Sequence, residues 1–269
     1  MEVIILPDAD RAALLGAWLI GRQLRDVPDS VLGLATGRTM ERVYARLARM
    51  HREEGLDFSR CRTFNLDEYI GLPPDDPNSY RHYMNTQLFT RVNIDPRNTY
   101  LPDGMAADLK AACRAYEDTI KRCGGIDLQL LGIGVSGHIG FNEPLSALRS
   151  RTRDKALTPA TLQQNAGLFG GDPNRVPRRA LTMGVGTILE ARKLVVVVTG
   201  AEKAEILAQA VEGPVTSMVS ATAIQLHEDC KVIVDEEAAS RLKGGEYYRW
   251  IFATEPDWAD ARRVIGDPR

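Results

Sequence analysis

The chain has 269 residues, of which 44% are hydrophobic and 26% charged, which is the composition of an ordinary globular protein with length for a large core. Its 34 lysines and arginines nearly balance its 36 aspartates and glutamates, so the formal net charge is −2 at pH 7. This balance argues against nucleic acid or an anionic membrane as partner, because both need a broad positive field, and it favours a small molecule.

Short apolar runs alternate with longer amphipathic stretches along the chain. Runs rich in Val, Ile and Leu predict strands at 3–6, 30–35, 62–66, 127–133, 193–199 and 231–235. Apolar residues at helical spacing predict helices at 10–24, 40–54, 107–122, 201–212 and 217–226. The alternation predicts a single α/β domain over residues 1–269, with a Rossmann-like three-layer fold and a mostly parallel sheet. We expect its active site at the carboxyl ends of the strands.

The segment 146–179 interrupts this regular alternation. It holds many Arg, Asn, Gln, Gly and Pro residues. A long polar segment inside a compact domain is usually either disordered or a working lid. Because this one directly follows a glycine-rich turn, we interpret it as a lid.

Cysteines and most histidines show no metal-binding pattern. The cysteines, which we interpret as buried or idle thiols, are Cys61, Cys113, Cys123 and Cys230. His51, His82 and His227 have no neighbouring ligands and are interpreted as surface or capping residues. The first residues do not resemble a signal peptide, and no apolar run approaches the roughly 20 residues of a membrane span. We therefore expect a cytoplasmic protein without a bound metal.

A short turn lies between the second predicted strand and the helix that follows it. Its residues are Thr36, Gly37, Arg38 and Thr39. Backbone N–H groups at a helix N-terminus, together with the two threonine hydroxyls, can hold a phosphate. Thr39 could equally be only the N-cap of the helix. The turn is neither a Walker A loop nor a GxGxxG fingerprint, which argues against nucleotide binding.

Two adjacent carboxylates, Asp67 and Glu68, follow the third predicted strand. Successive side chains of an extended segment point to opposite sides, so only one of them can face a given reacting atom. The pattern alone does not choose between them. A solvated acidic strand end or a helix cap is the alternative interpretation.

A glycine-rich turn at 132–144 follows the fourth predicted strand. It places His138 and Glu143 where a buried strand should end, and open α/β sheets bind their ligands there. A carboxylate near a histidine can fix its tautomer and raise its basicity, which gives a general base at neutral pH. A packed histidine in a tight loop is the alternative.

In this order, the segments resemble the glucosamine-6-phosphate deaminase family, also called glucosamine-6-phosphate isomerase. Blocks such as FNLDEY at 64–69 and GHIGFNEP at 137–144 carry the resemblance, with others at 32–37, 71–73, 78–80, 150–153, 180–187 and 210–214. The resemblance implies conversion of glucosamine 6-phosphate and water to fructose 6-phosphate and ammonia, without a metal or cofactor. Alternatives are a galactosamine 6-phosphate deaminase, a 6-phosphogluconolactonase-like hydrolase and a non-catalytic sugar-phosphate sensor. The matched FNLD and FNE residues argue against the hydrolase, and the lack of a spare helix-turn-helix segment argues against the sensor.

The resemblance also implies residue roles. Asp67 matches the base that moves a proton between C2 and C1 of the sugar. His138 matches the ring-opening catalyst, and Glu143 matches the carboxylate that supports it. Ring opening must come first, because a C2 proton becomes acidic enough to remove only beside a carbonyl. Lys203 matches the phosphate-binding lysine and adds charge to the turn at 36–39.

Several positions depart from the family pattern, three of them in or near the predicted site. Ser136 stands where the family usually has Asp or Asn in the ring-opening group; a serine keeps a hydroxyl for hydrogen bonding but cannot carry charge. Gly167 stands where some members place a phosphate-binding arginine in the lid. Arg38 stands at a turn position that is usually Gly or Ser in relatives. We hypothesise that Arg38 supplies the missing cation, since a guanidinium forks well onto phosphate.

Some members of the family are hexamers activated by N-acetylglucosamine 6-phosphate, so a homo-oligomer is a candidate assembly. Ser146, Arg153 and Lys155 match the effector site, whereas Ala147 replaces a serine. This replacement and the altered lid argue against the activation.

Overall fold

The computed structural model describes residues 1–266, which form two sheets surrounded by helices. The strands are β1 (Glu2–Leu6), β2 (Val31–Leu34), β3 (Arg62–Asn65), β4 (Asp67–Tyr69), β5 (Thr99–Tyr100), β6 (Leu128–Leu131), β7 (Arg153–Ala156), β8 (Arg179–Thr182), β9 (Leu194–Val198) and β10 (Cys230–Asp235). The helices are α1 (Ala9–Asp26), α2 (Arg38–Glu54), α3 (Tyr80–Gln87), α4 (Leu109–Arg122), α5 (Pro159–Asn165), α6 (Val185–Leu189), α7 (Ala204–Glu212), α8 (Glu236–Ala239), α9 (Gly245–Thr254) and α10 (Ala259–Ile265).

The larger sheet is parallel and has the strand order β1-β10-β9-β6-β2-β3-β5. From β2 the chain proceeds outwards to β3 and β5, and from β6 it proceeds the other way to β9 and β10. The order therefore reverses between β6 and β2. In open α/β sheets, ligands bind at the carboxyl ends of the strands beside such a reversal.

The predicted fold class is confirmed, and so are its six strands, now β1, β2, β3, β6, β9 and β10. All five residues of β9 are buried, as expected for a strand with helices on both faces. The centre of the sheet is tightly packed: a Cβ on Gly33 would lie only 1.9 Å from Gln129 Oε1, so there is no room for a side chain at position 33. These apolar strands form the main core of the molecule.

Four of the five predicted helices are confirmed as α1, α2, α4 and α7, the last preceded by a 3-10 turn at Ala201–Lys203. The helix predicted at 217–226 is wrong in type and start: it is a 3-10 helix over Ser220–Leu226. The Thr222 hydroxyl accepts from Thr216 N (2.9 Å) and bonds Thr216 O (3.0 Å), which holds the preceding residues in a turn. No helix within residues 1–266 is both long and apolar enough to cross a membrane.

The smaller sheet is antiparallel, with the order β4-β8-β7, and the sequence did not predict it. Leu66 joins the two sheets: its N–H donates to Leu34 O (3.1 Å) and its carbonyl accepts from Met183 N (2.6 Å). The chain therefore leaves the parallel sheet directly before Asp67. This places Asp67 at the carboxyl edge of the larger sheet.

The segment 146–179 is ordered and contains β7, α5 and two short 3-10 helices. Leu148 packs against the main core, whereas most other apolar side chains of the segment pack against β4, α3 and the glycine-rich turn. The residues of this aromatic cluster are Tyr69, Tyr80, Phe141, Leu157, Ala166, Phe169, Val176 and Ala180. Tyr69 and Phe169 pack edge to face with ring centroids 5.6 Å apart.

Two interpretations of single residue types can be compared with the structure. Cys61, Cys113 and Cys230 are buried free thiols, and Cys123 is half-buried. His227 is buried rather than on the surface, but it does cap a turn: its Nδ1 accepts from Asp229 N (3.1 Å) and its Nε2 lies 2.7 Å from Ala191 O.

Candidate active site

The first turn of α2 is an open helix N-terminus. Gly37 is the N-cap residue, with φ +115°, and among the described residues no side chain caps the helix. The carbonyl of Gly37 accepts from Met40 N (2.9 Å) at the start of the helix and from Tyr83 OH (2.8 Å), and Tyr44 OH donates to Ala35 O (2.5 Å) before the turn. The alternative of Thr39 as the N-cap is therefore wrong. Uncapped N–H groups with the positive end of a 17-residue helix suit an anion.

Lys203 reaches the same place from the end of β9. Its Nζ donates to Ile133 O (2.9 Å) at the end of β6. The two turns also meet directly, because Thr39 Oγ1 lies 3.3 Å from Thr199 Oγ1. Burial lowers the pKa of Lys203, Glu202 raises it, and the charge of Arg38 lowers it further. The structure thus brings Arg38, Thr39 and Lys203, for which the sequence predicted phosphate binding, to one place.

Asp235 fixes the turn that carries Lys203. Gly200 has φ +95°, a conformation that favours glycine, and its N–H donates to both carboxylate oxygens of Asp235 (3.1 and 3.0 Å). The same carboxylate accepts from Ala238 N (2.8 Å) at the start of α8. The buried Asp235 was not predicted as a site residue. Its position at the end of a strand was the signal that could have found it.

His138, Ser136 and Glu143 form a hydrogen-bonded group in the glycine-rich turn. Ser136 Oγ lies 2.8 Å from His138 Nδ1, and Glu143 Oε2 lies 3.3 Å from the same nitrogen. Ser136 also donates to Glu143 Oε2 at 3.5 Å. A carboxylate acceptor favours a proton on Nδ1, so Nε2 is left as the basic nitrogen. The ring packs on Gly134, where a Cβ would lie 2.0 Å from His138 Nε2.

Glu143 is almost completely buried, with 2% of its surface exposed. Burial raises its pKa, but His138 and the hydrogen bonds from Thr161 and Thr158 outweigh this, and the pKa is lowered overall. Thr158 donates its N–H to Oε1 (3.2 Å) and its hydroxyl to Oε2 (3.3 Å). The carboxylate is therefore ionised at neutral pH and faces the imidazole.

Asp67 and Glu68 lie in different environments. Glu68 accepts three backbone N–H groups, from Tyr69 (2.8 Å), Tyr80 (3.0 Å) and Arg81 (2.9 Å), and so caps the start of α3. Within residues 1–266, the side chain of Asp67 accepts no hydrogen bond, and 6% of the residue is exposed. Burial and the charge of Glu68 raise the pKa of Asp67 to about 8. The helix-cap alternative holds for Glu68, and Asp67 is the free carboxyl.

Asp67 reaches the turn that carries His138. Its Oδ2 lies 3.4 Å from the place where a Cβ of Gly140 would stand, and Gly140 has φ +56°. Thr182 pairs with Asp67 across the smaller sheet, and its Oγ1 accepts from Phe141 N (3.0 Å). The two predicted acid–base groups therefore share one edge of the larger sheet.

Asn142 supports the turn from beneath. Its Nδ2 donates to Ile139 O (2.9 Å) and Met183 O (2.8 Å), and its Oδ1 accepts from Arg153 (2.9 Å). Arg153 also donates to Ser146 Oγ at 3.0 Å. These two residues, which match an effector site in the family, here bond each other and the support of the turn.

Gly167 and Arg38 differ in their relation to the predicted phosphate site. A Cβ on Gly167 would meet nothing within 4 Å, so nothing in its packing requires glycine. Arg38 is exposed at the first position of α2.

Within the described chain, no group of three or more His, Cys, Asp or Glu side chains is arranged to hold a metal ion.

Known proteins of similar sequence cover nearly the whole chain. Residues 17–233 match the family model described as glucosamine-6-phosphate isomerases/6-phosphogluconolactonase. The glucosamine-6-phosphate deaminase of Arthrobacter sp. (strain FB24) is 51% identical over 258 residues, covering 96% of this chain and 99% of that protein. The glucosamine-6-phosphate deaminase of Cellvibrio japonicus (strain Ueda107) is 51% identical over 251 residues, covering 93% of this chain and 95% of that protein.

Solved structures agree in fold. A monomeric glucosamine-6-phosphate deaminase superposes with a TM-score of 0.87 at 42% identity, covering 90% of this chain and 100% of that chain. A 6-phosphogluconolactonase from Trypanosoma brucei superposes with a TM-score of 0.70 at 20% identity, covering 90% and 98% of the two chains. The second similarity is one of fold alone.

Proposed function

The chain belongs to the family of glucosamine-6-phosphate isomerases and 6-phosphogluconolactonases, and we propose that it acts as a glucosamine-6-phosphate deaminase. The reaction converts glucosamine 6-phosphate and water to fructose 6-phosphate and ammonia. One observation carries the assignment of the site: a desolvated carboxyl and a carboxylate-supported imidazole lie at the same edge of the sheet. These are the two groups that ring opening and C2–C1 proton transfer require.

The phosphate binds at the start of α2. Its oxygens accept hydrogen bonds from the uncapped N–H groups beside Gly37 and from the hydroxyls of Thr36 and Thr39. Lys203 adds a positive charge on the other side, and the exposed Arg38 closes over the phosphate. Bound in this way, the sugar extends across the end of β6 toward the glycine-rich turn.

His138 opens the sugar ring. Its Nε2 takes the proton of the C1 hydroxyl and returns a proton to the ring oxygen, which produces the open-chain aldehyde. Glu143 stabilises the imidazolium that forms between these two transfers, and its buried position strengthens the interaction. Ser136 bonds both groups and keeps the imidazole in place without adding charge.

Asp67 then moves a proton within the open-chain sugar. Its carboxylate removes the proton from C2, beside the aldehyde, and delivers it to C1, which leaves an imine at C2. Water adds to this imine, and ammonia leaves as fructose 6-phosphate forms. A carboxyl without hydrogen-bond donors, with its pKa raised to about 8, is a stronger base than an ordinary aspartate.

Product detection tests this proposal. The enzyme is incubated with glucosamine 6-phosphate, galactosamine 6-phosphate or 6-phosphogluconolactone, and fructose 6-phosphate, ammonia and lactone hydrolysis are measured separately. We expect fructose 6-phosphate and ammonia in equal amounts from glucosamine 6-phosphate, and neither from Asp67→Asn. Tagatose 6-phosphate and ammonia from the galactose epimer alone would move the substrate to that epimer. Lactone hydrolysis without ammonia release would overturn the deaminase.

The substrate is a small sugar phosphate, and two finer expectations accompany this function. A cytoplasmic location fits an enzyme of amino sugar metabolism. A homo-oligomer stays a prediction, since one similar solved structure is described as monomeric. Light scattering of the purified protein at several concentrations measures the assembly directly.

A further inference from the structure

Helix α5 connects the segment 146–179 to both halves of the site. At its start, Thr158 bonds both oxygens of Glu143 (3.2 and 3.3 Å). Near its end, Gln164 Oε1 accepts from Val135 N (3.0 Å), in the turn that carries His138. Asn165 Nδ2 then donates to Tyr69 OH (2.8 Å), two residues after Asp67. One seven-residue helix therefore contacts the strand of one acid–base group and the turn of the other.

Thr158 is the N-cap of this helix. Its Oγ1 accepts from Thr161 N (3.3 Å), and Pro159 follows at the first helical position. The hydroxyl has two further partners, Thr161 Oγ1 at 3.1 Å and Glu143 Oε2 at 3.3 Å. It donates its proton to the carboxylate when the Thr161 hydroxyl is the donor of the first pair. The hydroxyl thus joins the start of the helix to the carboxylate.

Glu143 depends on this contact. Among residues 1–266, Thr158 N donates to Oε1, while Oε2 receives the His138 ring and the hydroxyls of Ser136 and Thr158. The Thr161 hydroxyl also acts on this carboxylate. A buried carboxylate oxygen without a donor is costly, so the two bonds from Thr158, which reach both oxygens, help to set the rotation of the carboxylate. That rotation determines whether Oε2 faces the imidazole.

Apolar residues on either side of α5 hold the helix in place. Leu157, Ala166 and Phe169 belong to the aromatic cluster, which also contains Tyr69 and Phe141. The residues on either side of α5 are therefore anchored to the strand of Asp67 and to the glycine-rich turn. Removing only the Thr158 hydroxyl should leave these anchors in place.

We propose that Thr158 is a positioning residue of the ring-opening pair, that it acts through its hydroxyl, and that the start of α5 thereby holds the pair together. Thr158 does not touch the reacting atoms; it acts by fixing Glu143 against His138. This inference rests on the proposed function, because it assigns Glu143 and His138 to ring opening.

The test compares Thr158→Val, which keeps the shape and loses the hydroxyl, with Thr158→Ser, which keeps the hydroxyl. Asp172→Ala is the matched control: Asp172 also caps a short helix of the segment 146–179, through Asn174 N (2.9 Å), but is exposed. For each variant we measure kcat and KM for glucosamine 6-phosphate. We also measure Ki for 2-amino-2-deoxyglucitol 6-phosphate, an open-chain analogue that binds without ring opening.

We expect Thr158→Val to lower kcat by about tenfold or more, the size of a lost hydrogen bond to a charged group, while Ki stays within about twofold. Thr158→Ser should restore most of kcat, and Asp172→Ala should resemble the wild type. Unchanged kcat in Thr158→Val would overturn the proposal. A parallel loss of kcat in Asp172→Ala would do the same, because the effect would then come from the stability of the segment.

A second measurement reads the pair without turnover. The ¹⁵N shifts of the His138 ring report its tautomer, and His138→Gln identifies the signals. Thr158→Val should mix the two tautomers, whereas Asp172→Ala should not. An unaltered His138 tautomer in Thr158→Val would refute the positioning role, whether or not the wild type is active. A wild type that deaminates neither amino sugar phosphate would refute only the proposed function.

Discussion

Replacing Asp67 with asparagine should change how stability depends on pH. In the folded protein the pKa of Asp67 is raised to about 8, by burial first and by Glu68 second, from its ordinary value of 3.8. Between these two values the folded chain holds a proton that the unfolded chain has released. Wild-type stability therefore falls as pH rises through this window, and it levels off above pH 8. Asparagine does not titrate, so the variant escapes this loss.

The magnitude follows from the linkage relation. Each pH unit within the window costs the wild type about 1.4 kcal/mol relative to Asp67→Asn. From pH 5 to pH 8 the stability difference should therefore move by about 4 kcal/mol in favour of the variant. Groups that do not interact with Asp67 titrate alike in both proteins, so their contributions cancel in the difference, and what remains is the titration of Asp67 together with its neighbour Glu68.

Urea unfolding of both proteins at pH 5, 6, 7, 8 and 9 measures this difference. Asp95→Asn is the control: hydrogen bonds from Arg97 lower the pKa of that half-buried carboxyl, so its difference curve should be flat above pH 5. A flat curve for Asp67→Asn between pH 5 and 8 would refute the reasoning. It would mean that Asp67 is hydrated and ionised like a surface aspartate.

Three further predictions concern the phosphate site and the turn. Arg38→Ala should raise KM for the sugar phosphate by about tenfold with little change in kcat, and an unchanged KM would contradict its role as the phosphate cation. Gly134→Ala should lower kcat by about tenfold or more without unfolding the protein, because a Cβ would lie 2.0 Å from His138 Nε2; circular dichroism checks the fold, and full activity would show that the ring can move aside. Asp235→Ala should destabilise the protein by about 2 kcal/mol and raise KM more than it lowers kcat, because it releases Gly200 N; a fall in kcat alone would contradict this.

The sequence could predict the parallel sheet because its strands are buried on both faces. The run Leu194–Val198 is apolar throughout, which is typical of a strand buried on both faces and not of a strand with one face in solvent. The smaller sheet has no comparable signal. Asp67–Tyr69 and Arg153–Ala156 are short and polar, and they become strands only because the chain crosses at Leu66 and pairs there with Arg179–Thr182. Such pairing depends on tertiary contacts that no local pattern contains.

The contacts of the site are also of two kinds: some could be predicted from the sequence, and others depend on the fold. His138 and Glu143 lie five residues apart in one turn, so their contact could be predicted from spacing. The choice between Asp67 and Glu68 could not be predicted from spacing, because it depends on where α3 begins. Glu68 accepts a hydrogen bond from Tyr80 N, twelve residues further along the chain. The contact of Thr158 with Glu143 spans fifteen residues and needs the seating of α5.

The pKa values of the two buried carboxyls, Asp67 and Glu143, are shifted in opposite directions, which fits the different tasks that we propose for them. Asp67 lacks hydrogen-bond donors, so burial raises its pKa to about 8 and it can both take and return a proton near neutral pH. Glu143 is also buried, but an imidazole and backbone and hydroxyl donors lower its pKa, so it stays charged. A serine at position 136 fits this division. It bonds both members of the ring-opening pair without adding a second negative charge, which leaves Glu143 as the charge that the imidazolium needs.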